Sequence, residues 1–171
     1  ISEKMSKDID EMESMLNDYL QFAKTQAKEE TITINLSNLF NEIKKSLNNE
    51  NLFLENIEEI ILKGRFSALK RCFENVIQNG LTYGKKVYVN LHKGSNIVTI
   101  NIEDDGPGIP EDQYKNVFKP FVRLDKSRNL NQSSVGLGLA IVEDIINSHG
   151  GNIQLGKSKY KGLQVKISLP F

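Results

Sequence analysis

Residues 97–109 read IVTINIEDDGPGI, and this stretch decides how the chain folds. Apolar and polar residues alternate from Ile97 to Glu103, which predicts a half-buried β-strand. The strand runs directly into a turn rich in glycine, where the backbone can approach a ligand closely and Asp104 can accept a hydrogen bond from an amine. Taken alone, the segment is equally consistent with an ordinary tight turn, because Asp, Gly and Pro are the usual turn residues.

The sequence on both sides of this strand predicts a mixed α and β fold. Residues 87–91 also alternate, and the Lys-Gly-Ser-Asn segment between the two strands is typical of a hairpin. The remaining predicted elements are strands at 31–36 and 57–62, a helix capped by Ser37, helices at 67–81 and 136–148, and a closing hairpin of 153–155 with 163–169. Gly150 and Gly151 are predicted to end the last helix. Together these elements predict an α+β two-layer sandwich, in which helices cover one face of a sheet.

The first residues predict a separate helix. Its apolar positions follow spacings of 4, 3, 4, 3 and 4, which is the seam of a helix that packs on partner helices; they are Met5, Ile9, Met12, Leu16, Tyr19 and Ala23. Since no partner helix follows, we assign residues 1–26 to a bundle or dimer, residues 27–30 to a linker and residues 31–171 to the main domain. Because the chain begins with Ile and is helical from its start, we expect it to be a piece of a longer protein.

The composition excludes several classes of function. The 171 residues are close to the usual size of one domain, so we expect one globular unit with a short appendage. Lys and Arg number 22, as do Asp and Glu, so the net charge is zero and no nucleic acid partner is expected. No apolar run approaches the roughly 20 residues that span a bilayer. The single cysteine, Cys72, is predicted to pack in the core.

Two further segments carry residues that could bind a ligand. Asn75 and Asn79 are spaced i, i+4, so both amides project from one face of their helix, beside an apolar stripe that makes unbound amides unfavourable. An amide oxygen is also a suitable ligand for Mg²⁺ that bridges substrate phosphates. Residues 134–139 read SVGLGL, so glycines open a helix whose first amides could hold phosphate. A plain glycine-rich helix start explains this segment equally well.

Four segments then occur in a fixed order. They are the asparagine pair at 75–79, the glycine turn at 104–108, Phe-Lys-Pro-Phe at 118–121 and the glycines at 136–138. In this order they resemble the N, G1, F and G2 boxes of the catalytic ATP-binding domain of sensor histidine kinases. The resemblance covers residues 31–171, and the four ordered boxes make it specific. Residues 8–12, 103–109 and 121–123 are most similar to the osmosensor type within that family.

The resemblance implies a Bergerat-type pocket for ATP and Mg²⁺. Asp104 would receive the adenine amino group, Asn79 would bind Mg²⁺, and Asn75 would line the phosphate side. Tyr83 would close one side of the pocket. Space for the nucleotide and amides for its phosphates would come from Gly106, Gly108, Gly136, Leu137 and Gly138.

Residues 122–135 match the position of the family's mobile ATP lid. The resemblance makes Arg123, Lys126 and Arg128 the candidate catalytic cations, which would neutralise the γ-phosphate during transfer. A solvated run of charges is the alternative interpretation for each. Ser134 departs from the glycine that usually begins the G2 box, Lys119 fills the variable place in the F box, and Arg65 stands where members often carry an acidic residue. None of these removes a residue with an assigned role, so we expect an intact site.

The resemblance also implies transfer to a histidine that is followed by an acidic residue on a dimerisation domain. His92 and His149 lack the acidic neighbour, so neither is assigned a catalytic role. His149, at a helix end, is typical of a favourable interaction with the helix dipole. The acceptor is expected upstream of residue 1, on the first helix of a hairpin whose second helix is residues 1–26. The implied partners are this dimerisation domain and a response regulator, in a homodimeric full-length protein that forms the cytoplasmic part of an inner-membrane sensor.

Three other functions share the same pocket. A non-catalytic module that binds nucleotide to regulate a partner would use the same residues. ATP hydrolases of the wider superfamily carry a glutamate four residues before the metal-binding asparagine, where this chain has Asn75. Glu74 lies about 100° further around the helix, so hydrolysis is less favoured. A serine kinase of the anti-sigma-factor kind would not need the N-terminal helix.

Overall fold

Seven strands and four α-helices make up the part of the chain that the computed structural model describes, residues 2–120 and 138–171. In chain order they are α1 (Ser2–Lys28), β1 (Ile32–Asn35), α2 (Leu36–Leu47), β2 (Leu52–Asn56), β3 (Ile61–Gly64), α3 (Phe66–Tyr83), β4 (Val87–Lys93), β5 (Ile97–Asp104), α4 (Gly138–Ser148), β6 (Asn152–Lys157) and β7 (Leu163–Pro170). Two short 3₁₀ turns, Glu111–Gln113 and Asn116–Phe118, lie between β5 and α4.

The main sheet has five strands in the order β2-β4-β5-β7-β6. β2 runs parallel to β4, and the other neighbours are antiparallel. Both predicted hairpins are confirmed, because β4 pairs directly with β5 and β6 pairs directly with β7. β1 and β3 form a separate antiparallel pair. The predicted α+β class is confirmed.

The core lies between the five-stranded sheet and the helices. Alternate residues of β4 and β5 are buried, as a sheet with one covered face requires. Helix α3 buries Cys72, Phe73 and Ile77. The ring centroid of Phe73 lies 4.8 Å from the ring centroid of Phe40 in α2. Burying one such phenylalanine contributes roughly 1.5–3 kcal/mol. The prediction for Cys72 is confirmed, and burial raises the pKa of its thiol.

Two local predictions are wrong. Asn35, rather than Ser37, caps α2, since its side-chain oxygen accepts a hydrogen bond from the N–H of Asn38 at 3.3 Å. The single strand expected at 57–62 is replaced by β2 and β3, with 57–60 between them. β2 pairs in parallel with β4, more than thirty residues further along the chain, and local alternation cannot reveal such a partner.

Helix α1 is longer than predicted and touches the rest of the chain near its C-terminal end. Phe22 is buried, and the hydroxyl of Tyr19 donates to Asp144 of α4 at 2.9 Å. The N-terminal part of the seam stays open, because Met5, Ile9, Met12 and Leu16 are each about half exposed. Helix α4 begins, among described residues, at Gly138 and is followed by Gly150 in the left-handed region at φ 73°, as predicted for its end.

Candidate functional site

Asp104 ends β5 with its carboxylate held from two directions. The N–H groups of Gly106 and Leu163 donate to Oδ1 at 2.9 and 3.1 Å. No described residue donates to Oδ2, which leaves one oxygen for a ligand. Burial raises the pKa of Asp104, although the two N–H groups act in the opposite direction. The side chain is only 8% exposed, so a bound amine would meet this acceptor away from bulk water.

Glycines let three segments close around Asp104. At Gly80 of α3, an added Cβ would lie 2.6 Å from Val87 Cγ2 and 3.4 Å from the Cβ of Asp104. At Gly106 it would lie 2.9 Å from the carbonyl oxygen of Tyr83. At Gly162, in the turn between β6 and β7, it would overlap Asp104 Oδ1. Helix α3, the glycine turn and the β6–β7 turn therefore meet at one carboxylate.

The two predicted asparagines lie on α3, before this junction. Both are partly buried, and neither amide makes a hydrogen bond to another described residue. A Cβ added at Gly138 would lie 3.6 Å from Asn79 Nδ2, so the first described residue of α4 faces this amide. The structure thus brings Asn79 and Gly138 close together. Gly108 lies beyond the turn at φ 72°, a conformation that favours glycine.

The donor set of Asn79 fits Mg²⁺ only as part of a shared shell. Within residues 2–120 and 138–171, no three His, Cys, Asp or Glu side chains come together as a metal site. An amide oxygen is a hard ligand, and Mg²⁺ in proteins usually keeps waters and substrate phosphates in its shell. Asn79 therefore suits a metal that arrives with a phosphate ligand.

Two further predicted residues, Tyr83 and Phe118, lie within the described part of the chain. Tyr83, at the end of α3, is 42% exposed, and its backbone carbonyl touches the glycine turn. Phe118 packs against the core. The remaining predicted residues lie outside the part of the chain that the structure describes; they are Phe121, Arg123, Lys126, Arg128, Ser134, Gly136 and Leu137.

The sequence analysis did not predict three sets of hydrogen bonds that hold Asp104 and the two ends of α3. The N–H of Leu163 orients Asp104, and the signal that could have found it is the Lys-Gly pair in the preceding turn. Asp105 accepts two backbone hydrogen bonds from the residues that follow α3. Glu29 caps the other end of α3, since its carboxylate accepts from the N–H groups of Ser67 and Ala68 at 2.8 and 3.1 Å.

His149 interacts with the C-terminal end of α4 as a neutral ring rather than as a cation. Its Nε2 accepts a hydrogen bond from the N–H of Arg65 at 3.0 Å, and its Nδ1 lies 2.7 Å from the carbonyl oxygen of Ile145. Because an N–H only donates and a carbonyl only accepts, this pair of contacts fits one neutral tautomer. Burial lowers the pKa of His149, which also favours the neutral ring. His92 is exposed on β4, so neither histidine is placed at the candidate site.

No helix among the described residues has the length and apolar character needed to cross a membrane.

Comparison with known proteins gives a consistent result. The family model described as histidine kinase-, DNA gyrase B-, and HSP90-like ATPase matches residues 64–171. Sensor histidine kinase GtrS of Pseudomonas aeruginosa is 32% identical over 177 aligned positions, which cover 99% of this chain and 36% of GtrS. Sensor histidine kinase CpxA of Escherichia coli K12 is 31% identical over 181 positions, which cover 98% of this chain and 39% of CpxA. The chain thus spans less than half the length of these relatives.

A solved structure supports the same grouping. The histidine kinase domain of the E. coli osmosensor EnvZ superimposes with a TM-score of 0.62 at 32% sequence identity. The match covers 81% of this chain and 87% of that one. It agrees with the osmosensor type that residues 8–12 and 103–109 predicted.

Proposed function

The chain belongs to the family of histidine kinase-, DNA gyrase B- and HSP90-like ATPases, and from this membership we propose that it binds Mg·ATP and passes the γ-phosphoryl group to a histidine on a dimerisation domain. Its similarity to sensor histidine kinases is consistent with an ATP-dependent histidine kinase. The observation that carries the proposal is Asp104, a buried carboxylate whose Oδ1 accepts two backbone N–H groups and whose Oδ2 accepts none from the described residues.

Adenine recognition in this proposal depends on Oδ2 of Asp104. The adenine amino group is a hydrogen-bond donor, and a carboxylate oxygen only accepts, so the pair is complementary. Gly106 and Gly108 leave room for the base, and Tyr83 closes the exposed side. A 6-oxopurine would present an acceptor to the same oxygen, which disfavours guanine nucleotides.

The phosphate side is assigned to the two asparagines and the start of α4. Asn79 would hold Mg²⁺ and Asn75 would line the phosphates, while the amides of Gly136, Leu137 and Gly138 would bind phosphate oxygens at the helix start. Bound Mg²⁺ would supply charge neutralisation on the β- and γ-phosphate oxygens. Neither asparagine amide makes a hydrogen bond to another residue within 2–120 and 138–171, which supports this assignment.

The transfer itself would use an acceptor on another domain. His149 is held between two backbone groups and His92 lies exposed on β4, so neither is offered to the pocket. The lid cations Arg123, Lys126 and Arg128 stay proposals for the groups that neutralise the transferred phosphate. The unprotonated nitrogen of an acceptor imidazole would form a bond to the γ-phosphorus as the bond to the β–γ bridging oxygen breaks. ADP would leave with that oxygen, and the proton on the other ring nitrogen would pass to water.

We further propose that residues 1–26 are the second helix of a dimerisation hairpin, linked through 27–30 to a catalytic domain at 31–171. The half-exposed apolar seam of α1 supports this division, because such a seam is stable only when a partner helix covers it. A response regulator as the next phosphate acceptor, a homodimeric full-length protein and a location on the cytoplasmic side of a membrane sensor stay predictions from the resemblance.

Two alternative functions compete with transfer. Hydrolysis would need a base to activate water, and an amide such as that of Asn75 has no useful basicity. Glu74 is the nearest carboxylate in the sequence, and its Oε1 lies 4.0 Å from Lys70 Nζ on another side of α3. A regulatory module that binds nucleotide without transfer is distinguished only by the reaction itself.

The proposal is tested in two steps. Calorimetric titration of a non-hydrolysable ATP analogue with Mg²⁺ should show saturable binding to the chain. The chain incubated with ATP alone should then remain unlabelled, whereas addition of a separate helical acceptor domain should yield an acid-labile phosphohistidine on that domain. Absence of binding would contradict the proposed function, and a stable phosphohistidine on this chain alone would contradict the proposed acceptor. Binding without transfer to any acceptor would favour the regulatory module.

A further inference from the structure

Asp105 follows the adenine-side carboxylate and uses its own side chain for a different purpose. The N–H groups of Lys85 and Lys86 both donate to Oδ1 of Asp105, at 2.7 and 2.8 Å. The N–H of Asp105 donates back to the carbonyl oxygen of Lys86 at 3.3 Å. These three hydrogen bonds fasten the glycine turn after β5 to the last two of the three residues that connect α3 with β4.

The charged form of Asp105 is the form that these contacts stabilise. Backbone hydrogen bonds, led by the one from Lys86, lower the pKa of Asp105. The side chain is therefore ionised at neutral pH, and a charged acceptor makes stronger hydrogen bonds than a neutral one.

The residues fastened by Asp105 follow closely after the end of α3 that carries Asn79 and Tyr83. Gly84, just before Lys85, sits so close that an added Cβ would lie 2.8 Å from Asp105 Oδ1 and 2.9 Å from the nitrogen of Gly106. The N–H of Gly84 donates to the carbonyl oxygen of Gly80 at 2.8 Å, so the last turn of α3 is continuous with the fastened residues. Any shift at the Asp105 contact would move Tyr83 and the end of α3 relative to Asp104.

We propose that Asp105 is a positioning residue for nucleotide binding. Its Oδ1 fixes the distance between the C-terminal end of α3, which carries Asn79 and Tyr83, and the carboxylate of Asp104. This inference rests on the proposed function, since it assigns to Asp105 the alignment of the two halves of the ATP site. Asp105 itself does not contact the nucleotide.

A purely structural role would have a different signature. Lys85 and Lys86 are exposed, so water can replace the lost acceptor at both N–H groups, and the cost to folding should be small. The cost of losing alignment appears instead in binding, because two contact sets that fit one ligand together no longer do so. A positioning role therefore predicts a loss of nucleotide affinity, whereas a purely structural role predicts a loss of folding stability.

The test compares three variants with the unmodified chain. Asp105→Ala removes the acceptor, Asp105→Asn keeps an oxygen that can accept both N–H groups, and Asp112→Ala removes an exposed acid from the Glu111–Gln113 turn as a control. Each protein is titrated with the non-hydrolysable ATP analogue and Mg²⁺. Thermal unfolding and amide hydrogen exchange at Lys85 and Lys86 are measured on the same samples.

Asp105→Ala should raise the Kd about tenfold, because the two halves of the site no longer fit one nucleotide together. Asp105→Asn should stay within about threefold of the unmodified chain. Asp112→Ala should bind the analogue with the same Kd as the unmodified chain. Exchange at Lys85 and Lys86 should accelerate in Asp105→Ala alone, with little change in the unfolding temperature.

Three results would overturn the inference. The first is an unchanged Kd in Asp105→Ala. The second is an equal loss in Asp105→Asn, which would make charge rather than hydrogen bonding the cause. The third is an Asp105→Ala protein that does not fold, since the carboxylate would then be structural. Failure of the unmodified chain to bind would instead overturn the proposed function, and the inference with it.

Discussion

The two ends of α3 are both held by carboxylates that accept backbone hydrogen bonds, but those carboxylates come from different parts of the chain. At the C-terminal end, Asp105, in the turn after β5, accepts from the N–H groups of Lys85 and Lys86, which follow α3. At the N-terminal end, Glu29 accepts from Ser67 and Ala68, and it lies just beyond the end of α1. Of these two carboxylates, only that of Asp105 lies within residues 64–171, the segment that matches the ATPase family.

This difference suggests separate roles for the two ends of α3: nucleotide binding in the proposed function at one end, and attachment of the domain to α1 at the other. In the proposed function, the C-terminal end of α3 forms part of the nucleotide site, and Asp105, which holds the residues after it, belongs to the family segment. The N-terminal end is attached to the chain that leads to α1, and Arg71 of α3 stacks its guanidinium 4.6 Å from the ring centroid of Phe22. A cavity of about 430 Å³ lies beside this contact, lined by residues of α1 and α3. We therefore expect substitutions at the C-terminal end to change affinity and substitutions at the N-terminal end to change stability.

Asp104→Asn should produce the largest effect. The amide oxygen can keep the hydrogen bonds from Gly106 and Leu163, so an NH₂ group takes the place of Oδ2 and faces the donor on adenine. The Kd for the ATP analogue should rise about 100-fold, the upper range for a hydrogen bond to a charged group. Titration calorimetry measures the change, and an unaltered Kd would remove Asp104 from the site.

The same variant should be more stable than the unmodified chain. Since burial raises the pKa of Asp104 above its unfolded value, the folded chain binds the proton more tightly, and stability declines as pH rises through the folded pKa. At neutral pH, Asn removes that charge and should raise the unfolding temperature, by about 2–4 °C for each 1 kcal/mol recovered. A lower unfolding temperature in Asp104→Asn would contradict the predicted gain in stability.

Asn79→Ala should reduce affinity about tenfold in the presence of Mg²⁺, because a metal-bridged contact to the phosphates is lost. In EDTA the variant and the unmodified chain should bind the analogue with similar Kd values. Gln78→Ala, on the exposed side of α3, is the matched control. If the difference between the two proteins persists without metal, Asn79 does not act through Mg²⁺.

Glu29→Ala should destabilise the chain by about 1–2 kcal/mol, the usual cost of losing a helix N-cap. Its Kd for the nucleotide should remain within about twofold, since the cap lies at the opposite end of α3 from the site. Urea unfolding gives the first quantity and calorimetry the second. Glu30→Ala, an exposed neighbour, should change neither. A large loss of affinity in Glu29→Ala would show that the two ends are coupled.

His149 should give the smallest effect, at acid pH. Its pKa is lowered from its ordinary value of 6.5, so its contribution to stability is complete above pH 6.5 and is lost as pH falls from there through the folded pKa. The charged groups that face it are Arg65, which lowers the pKa, and Glu29, which raises it. Between pH 7 and 5.5 the unmodified chain should lose up to about 1 kcal/mol more than His149→Gln, measured by urea unfolding. Parallel pH profiles would contradict this.

Most of the candidate site at the C-terminal end of α3 could be predicted from the sequence, because its signals are local. The alternation of residues 97–103, the glycine turn and the i, i+4 asparagines each lie within a few residues. The supporting contacts could not be found in this way. Asp105 reaches backbone groups twenty residues away, and Glu29 reaches Ser67 across thirty-eight. Side chains that bond to distant backbone leave no periodic pattern.

The strand β2 was missed for a related reason. Its residues pair with β4 in parallel, and a parallel pair needs a long connection, so no hairpin turn marks it. The N-cap of α2 was misplaced by two residues, because Asn35 and Ser37 are both good caps and the choice depends on where β1 ends. Sequence patterns therefore identify the elements better than they identify the contacts between them.

The most direct test is an amide spectrum of the chain titrated with the non-hydrolysable ATP analogue and Mg²⁺. The shifts should concentrate at Asn79 to Tyr83, at Asp104 to Gly108 and at Leu163, while the amides of Ser67 and Ala68 stay in place. That result would locate the nucleotide at the C-terminal end of α3. An unchanged spectrum, or shifts concentrated at Ser67 and Ala68, would contradict the assignment of the site.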